Sequence, residues 1–105
     1  MQTQSVINRY FELAPLSDTD AYFAQFDVNA IVEDEGHEYH GVDAIRAWRS
    51  EVPTVSYDVR DVRSDGATHV ARASIAGDFP GSPVELDFHF TFTDTGLIES
   101  LRIRT

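Results

Sequence analysis

From Val84 to Phe92 the chain alternates without a break: Val84, Leu86, Phe88, Phe90 and Phe92 are apolar, and Glu85, Asp87, His89 and Thr91 lie between them. A period of two sends these sets to opposite faces of a strand, one toward a core and one toward water. A strand that carries three phenylalanines on one face cannot hide them by itself. The rest of the chain must supply neighbouring strands and a layer to cover that face.

The same period recurs on either side. Val55, Tyr57 and Val59 alternate with Ser56, Asp58 and Arg60, and Ser64-Asp65-Gly66 then turns the chain. Residues 69–76 read as a strand of small side chains, ended by a turn at Gly77-Asp78-Phe79-Pro80-Gly81. Asp94-Thr95-Gly96 turns into a last strand over residues 97–104. Upstream the period is helical. Val6, Ile7, Tyr10, Phe11, Leu13 and Ala14 predict an amphipathic helix over residues 3–14, ended by Pro15.

Ser17 or Asp18 can cap a second, short helix whose buried side is Tyr22, Phe23 and Phe26. Residues 31–34 and 38–40 read as a hairpin turning at Glu35-Gly36. Residues 42–50 form a third helix, with Ile45 and Trp48 inward and Pro53 stopping it. Helices first and strands after predict an α+β fold. In it, three N-terminal helices pack on one face of a strongly curved antiparallel sheet. No repeat or linker interrupts residues 1–105, so the expectation is a single domain, as the length also suggests.

Composition removes several function classes. Eight basic residues against eighteen acidic give a net charge of −10, which repels a phosphate backbone, so no nucleic-acid partner is expected. All the basic residues are arginines. With no cysteine there is no disulfide, thiolate nucleophile or cysteine metal site. No apolar run approaches the ~20 residues of a membrane span, and Met1-Gln-Thr-Gln-Ser does not open a secretory signal. A cytoplasmic protein without a membrane partner is the expectation. Glycine-rich phosphate loops, serine-centred elbows and dinucleotide fingerprints are missing from the sequence.

One carboxylate stands out. Alternation through Val32-Glu33-Asp34-Glu35 sends Glu33 and Glu35 to one face and Asp34, with Val32, to the other. A carboxylate set against apolar side chains is a candidate general base, and Asp34 is read so. Tyr10 is either a core aromatic or a hydroxyl aimed into a cavity. Trp48, Tyr57, Phe88 and Phe90 would line the wall of such a cavity and bind a hydrophobic small molecule, although packing alone also accounts for each. His37 and His40, three apart on a strand, point to opposite faces and do not converge on a metal. His89 shares the outer face of its strand with Glu85 and Asp87.

The order of elements resembles the nuclear transport factor 2-like superfamily, a cone-shaped α+β fold that includes SnoaL-like polyketide cyclases and ketosteroid isomerase. Asn8-Arg9-Tyr10, Val32-Glu33-Asp34, Gly41-x-x-Ala44-Ile45-Arg46-x-Trp48 and Phe90-x-Phe92-x-x-x-Gly96 carry the likeness, which spans nearly the whole chain. It implies that Tyr10 matches the isomerase tyrosine that donates to the substrate oxyanion, and that Asp34 matches its proton-shuttling aspartate. Phe88 stands where that isomerase has its second, protonated aspartate, and Arg49 where it has a supporting tyrosine. The resemblance therefore implies a cofactor-free isomerase, cyclase or dehydratase that abstracts a proton beside a carbonyl, with Asp34 as base. It equally implies a non-catalytic ligand-binding or dimerisation module, because the fold hosts both. An epoxide hydrolase would need an Asp–Arg–Asp set, which the sequence does not place. Sheet faces of this family often pair, so a homodimer is expected across the face that bears Arg72, Ser74, His89 and Thr91.

Overall fold

The computed structural model describes residues 3–16, 20–52 and 55–105. Helix α1 (Thr3–Leu13) buries Ile7, Tyr10 and Phe11 and passes into a single 3₁₀ turn, Ala14–Leu16, at Pro15. Proline lacks the N–H that another α-helical turn would need, which is why the helix tightens and stops there. A short helix α2 (Asp20–Phe23) buries Tyr22 and Phe23. The proposed caps Ser17 and Asp18, like the stop at Pro53, lie outside the described residues.

Strand β1 (Phe26–Asp34) and strand β2 (His37–His40) form the expected hairpin. Phe26 is buried as expected, but it opens β1 instead of closing the helix. The two-residue turn holds Glu35 at φ 52° and Gly36 at φ 79°. Both positive angles match the right-handed twist of a tight hairpin, and glutamate takes its angle at a cost. Gly41 follows β2 at φ 87° and ψ 162°, backbone that is open essentially to glycine alone. Its carbonyl accepts the Ile45 N–H at 3.0 Å and starts helix α3 (Val42–Glu51), which buries Ile45, Trp48 and Arg49.

Strands β3 (Ser56–Asp65), β4 (Thr68–Ala76), β5 (Val84–Phe92) and β6 (Ile98–Arg104) run as an antiparallel meander. The six strands form one open sheet in the order β2-β1-β6-β5-β4-β3. One pairing departs from the antiparallel expectation: β1 runs parallel to β6, with Val32 beside Leu101 and Asp34 beside Ile103. The chain enters the sheet at β1, leaves through α3, and returns to pair its first strand with its last. That crossover makes the sheet mixed.

Register decides which side chains meet the helices. Phe88 lies opposite Ala71 and Ile103, and Phe90 opposite His69 and Leu101. Small Ala71 and Ala73 leave room for the phenylalanine rings, and both are fully buried. A bulge between Val59 and Asp61 resets β3, so Val62 rejoins the inner face opposite Ala71. The core between sheet and helices is aromatic. Tyr10, Tyr22, Phe26, Phe88 and Phe90 stand within 5.3–6.5 Å of one another in edge or tilted pairs through Tyr10 and Tyr22. Burying each such ring stabilises the fold by roughly 1.5–3 kcal/mol. No helix among the described residues is long and apolar enough to cross a membrane.

Candidate functional site

A cavity of about 1030 Å³ opens between the end of α3, the β1–β2 turn and the inner faces of β3 to β5. Its deepest wall is made by the buried Trp48, Arg49, Ile75 and Phe88, and its mouth by the exposed Glu35, Glu51, Pro80 and Gly81. Alternation along β3 turns Tyr57, the ladder partner of Ile75, inward, and β5 contributes Val84, Leu86 and Phe88 from its apolar face. The β4–β5 loop is held close. A Cβ at Gly77 would stand 2.7 Å from Val55 Cγ1, so only glycine lets the loop approach the start of β3 there.

Asp34 reaches this wall because it is the last residue of β1 and shares the inward face with Val32. The indole N–H of Trp48 donates to Asp34 Oδ2 at 3.0 Å. A half-buried carboxylate with one oxygen bound to a fixed donor is oriented, and its other oxygen remains for a ligand. Tyr39 packs at 6.1 Å from the Trp48 ring and keeps the indole in place. Glu33, on the opposite face, pairs with Arg102 at 2.9 Å and Arg104 at 3.0 Å. Neither arginine makes an ion pair with Asp34 among the described residues.

Arg49 is the residue that sequence reasoning did not single out as a cavity cation. It is 7% exposed. Its Nη2 donates to the Ala14 carbonyl at 3.0 Å and to the Tyr57 hydroxyl at 3.3 Å. Its guanidinium lies 4.9 Å from the Tyr22 ring and 5.0 Å from the Trp48 ring. Nε is buried with no acceptor among the described residues. Tyr57 accepts from Arg49, and its own O–H donates to none of the described residues. Accepting from a cation polarises a hydroxyl and makes it a better donor. A signal for Arg49 was present in the sequence: it stands four residues after the inward Ile45 and so on the same helix face.

Of the residues expected to form the site, Asp34, Trp48, Tyr57 and Phe88 line the cavity. Tyr10 and Phe90 are fully buried and are not among its lining residues. The Tyr10 hydroxyl meets the Tyr22 hydroxyl at 2.9 Å. Burial pushes the Tyr10 phenol up to about 12, with Arg49 opposing, and pushes Tyr22 well above its ordinary value. The expected pairing of Tyr10 with Asp34 across one cavity is therefore not what the side chains make. Helix α1 packs directly on Phe88 and Phe90, with the Tyr10 ring 5.3 Å from Phe90, and this seals the hydroxyl inside the aromatic core.

Helices laid on one open six-stranded sheet form the nuclear transport factor 2-like fold, which the chain shares with solved NTF2-like structures. More closely, the chain belongs to the SnoaL-like domain family, whose model matches residues 7–100. It is similar over 99% of its length, at 35% identity and TM-score 0.87, to the whole of protein SMa1630 of Sinorhizobium meliloti, assigned as a polyketide cyclase. A protein of Kribbella flavida DSM 17836 assigned as a ketosteroid isomerase shares the fold, with TM-score 0.81, 13% identity, and coverage of 96% of this chain and 75% of that one. So does SalBIII, an epoxide hydrolase/cyclase-like enzyme in pyran ring formation in salinomycin, with TM-score 0.74, 21% identity, and coverage of 97% and 88%. No curated protein matches the chain.

Proposed function

We propose that the protein binds a hydrophobic small molecule in this cavity and abstracts a proton beside its carbonyl. Asp34 is the base, in a cofactor-free isomerisation, cyclisation or dehydration. The observation that carries the reading is the Trp48–Asp34 hydrogen bond at the cavity wall, which fixes one carboxylate oxygen and leaves the other for a C–H. Membership of a family with an assigned polyketide cyclase supports the same class of chemistry. The oxyanion role that the resemblance gives Tyr10 passes in this reading to Tyr57, whose hydroxyl lines the cavity with its hydrogen uncommitted. Trp48 and Phe88 hold the apolar body of the substrate, while Phe90 supports Phe88 from the core.

The test is hydrogen exchange at the α-carbon of a hydrophobic bicyclic ketone such as 2-tetralone, followed by NMR in deuterated buffer. Wild type should accelerate exchange, and Asp34→Asn should abolish the acceleration. An Asp34→Asn variant as fast as wild type removes Asp34 as the base. A wild type that binds such ketones without accelerating exchange leaves the ligand-binding module as the better reading.

A further inference from the structure

The buried guanidinium of Arg49 has no carboxylate partner among the described residues, although the chain carries eighteen acidic residues against eight basic. Its two hydrogen bonds, to Ala14 and Tyr57, are both to neutral oxygens and both use Nη2. Nη1 makes no hydrogen bond among the described residues, and unlike Nε it is not sealed off from solvent. Arg49 lines the cavity, so Nη1 is the part of its wall that carries unspent positive charge. The cavity's other cation, Arg104, is exposed and spends its charge on Glu33 through bonds of 3.0 and 3.2 Å.

A charge held away from water without a counter-ion is costly, and proteins keep one where a bound partner supplies the opposite charge. Guanidinium N–H groups in a fixed fork suit a planar oxyanion. The uncommitted Tyr57 O–H stands within hydrogen-bond reach of the same guanidinium and adds a second donor of the correct polarity. The rest of the wall joins an apolar surface, Trp48, Val55, Ile75, Phe79, Val84 and Phe88, to carboxylates: Asp34 on the Trp48 indole, Glu33 paired with Arg104, and Glu35 and Glu51 exposed at the mouth.

We infer that the cavity selects acidic amphipathic ligands, whose oxyanion is seated on Arg49 Nη1 and the Tyr57 hydroxyl and whose apolar body lies along the Trp48–Phe88 wall. The oxyanion is a carboxylate or the enolate of a 1,3-dicarbonyl. This inference rests on the cavity as a binding site but not on Asp34 as a base.

Quenching of Trp48, the one tryptophan of the chain, reads binding directly. The probes are 2-naphthoate and its neutral isostere 2-naphthamide, and 2-phenyl-1,3-indandione with the neutral 2-phenyl-1-indanone. At a net charge of −10 the background field disfavours the anions, so a preference for them has to arise locally. The anionic member of at least one pair should bind about tenfold or more tightly than its neutral isostere. Preference within the naphthyl pair identifies a carboxylate, and preference within the dione pair an enolate. Arg49→Met should abolish the preference, with Tyr57→Phe reducing it by several-fold. Equal binding of anion and isostere in both pairs, or the absence of saturable binding in wild type, overturns the inference, and neither result depends on whether a variant folds. An Arg49→Met variant that folds and keeps the preference overturns it as well. A wild type that does not accelerate ketone exchange, or an Asp34→Asn variant as fast as wild type, leaves this result untouched, so the two readings fail separately.

Discussion

The indole nitrogen of Trp48 and the Oδ2 of Asp34, fourteen residues apart, are joined by a 3.0 Å hydrogen bond that ties helix α3 to the end of strand β1. The indole N–H is a donor only, so it holds that oxygen in one orientation. Trp48→Phe should therefore lower α-proton exchange while leaving ligand affinity within a few-fold of wild type. It should also cost roughly 1–3 kcal/mol in urea unfolding, the range for a hydrogen bond to a charged group. Asp34→Asn offers a separation. Its amide oxygen still accepts from Trp48, so stability should change by less than about 1 kcal/mol while exchange is lost.

Arg49 should show the opposite balance between stability and use. Arg49→Met removes a buried charge whose Nε has no acceptor among the described residues and keeps most of the volume, so the free energy of urea unfolding should stay within about 1 kcal/mol of wild type or rise. Arg49→Ala empties the space beside Tyr22 and Trp48 and should cost about 2–4 kcal/mol. A large loss in the methionine variant would mean that the charge itself holds α3 to the Ala14 carbonyl.

The resemblance to ketosteroid isomerase sets Phe88 where that enzyme has its second acid, and a phenylalanine cannot donate to an oxyanion. Losing one such donor typically costs ~10²–10³ in rate. With the Tyr10 hydroxyl also committed to Tyr22, wild type should process 3-oxo-Δ5-steroids poorly or not at all. Phe88→Asp should destabilise the fold by about 3 kcal/mol or more, because Phe88 packs at 5.1 Å against Phe11 and at 6.4 Å against Tyr10. Efficient steroid isomerisation by wild type, read by absorbance of the conjugated product, would show that another residue supplies the missing acid.

Alkaline pH should unfold the protein through its buried tyrosines. Tyr10 is raised to about 12 and Tyr22 well above its ordinary value, both by burial. Above the ordinary phenol value the unfolded chain releases protons that the folded chain retains, so stability falls as pH rises from about 10 toward 12. Tyr10→Phe should flatten that limb of a stability-against-pH curve. On the acid side the signs reverse. Hydrogen bonds from Arg104 and Arg102 lower the Glu33 carboxyl, so its contribution is present above the unfolded carboxylate value and lost as pH falls through the folded one. Glu33→Gln should make the acid limb shallower.

The outer sheet face is neutralised within itself: Arg72 pairs with Asp87 at 3.0 Å and Glu85 at 3.7 Å, and Arg102 and Arg104 pair with Glu33. Such a face meets a copy of itself without a net charge to oppose it, and a homodimer across it is the expected state. Sedimentation at micromolar concentration checks this, and a monomer at high micromolar concentration would count against it.

Much of the fold was legible because it is local. Alternation from Val84 to Phe92, the Gly36, Gly66 and Gly96 turns and Pro15 each act on their own neighbourhood, and they place α1, α3, β4, β5 and β6 within a residue, whereas β1 begins at Phe26, five residues before the expected start at 31. The parallel β1–β6 pair was not, since alternation names the face of a strand but not its partner. Phe26 was drawn into the helix because an apolar residue after Tyr22-Phe23 fits a helical period as well as a strand start. Within the site, Asp34 followed from strand parity. Tyr10 did not, because the direction of its hydroxyl depends on Tyr22, twelve residues away on another helix. Arg49 and Tyr57 meet only when α3 packs against β3, a contact without a local signature.

The β1–β6 pairing also sets an order of assembly. Asp34 belongs to the first strand of the sheet, yet its neighbour in the ladder, Ile103, comes near the end of the chain. A chain emerging N-terminus first can form α1 and the β1–β2 hairpin early. It cannot lock that hairpin into the sheet until β6 is made, and closing so long a loop is the slow, entropically expensive step. The carboxylate is synthesised in the first third of the sequence, and the ladder that holds it is completed only with the last strand.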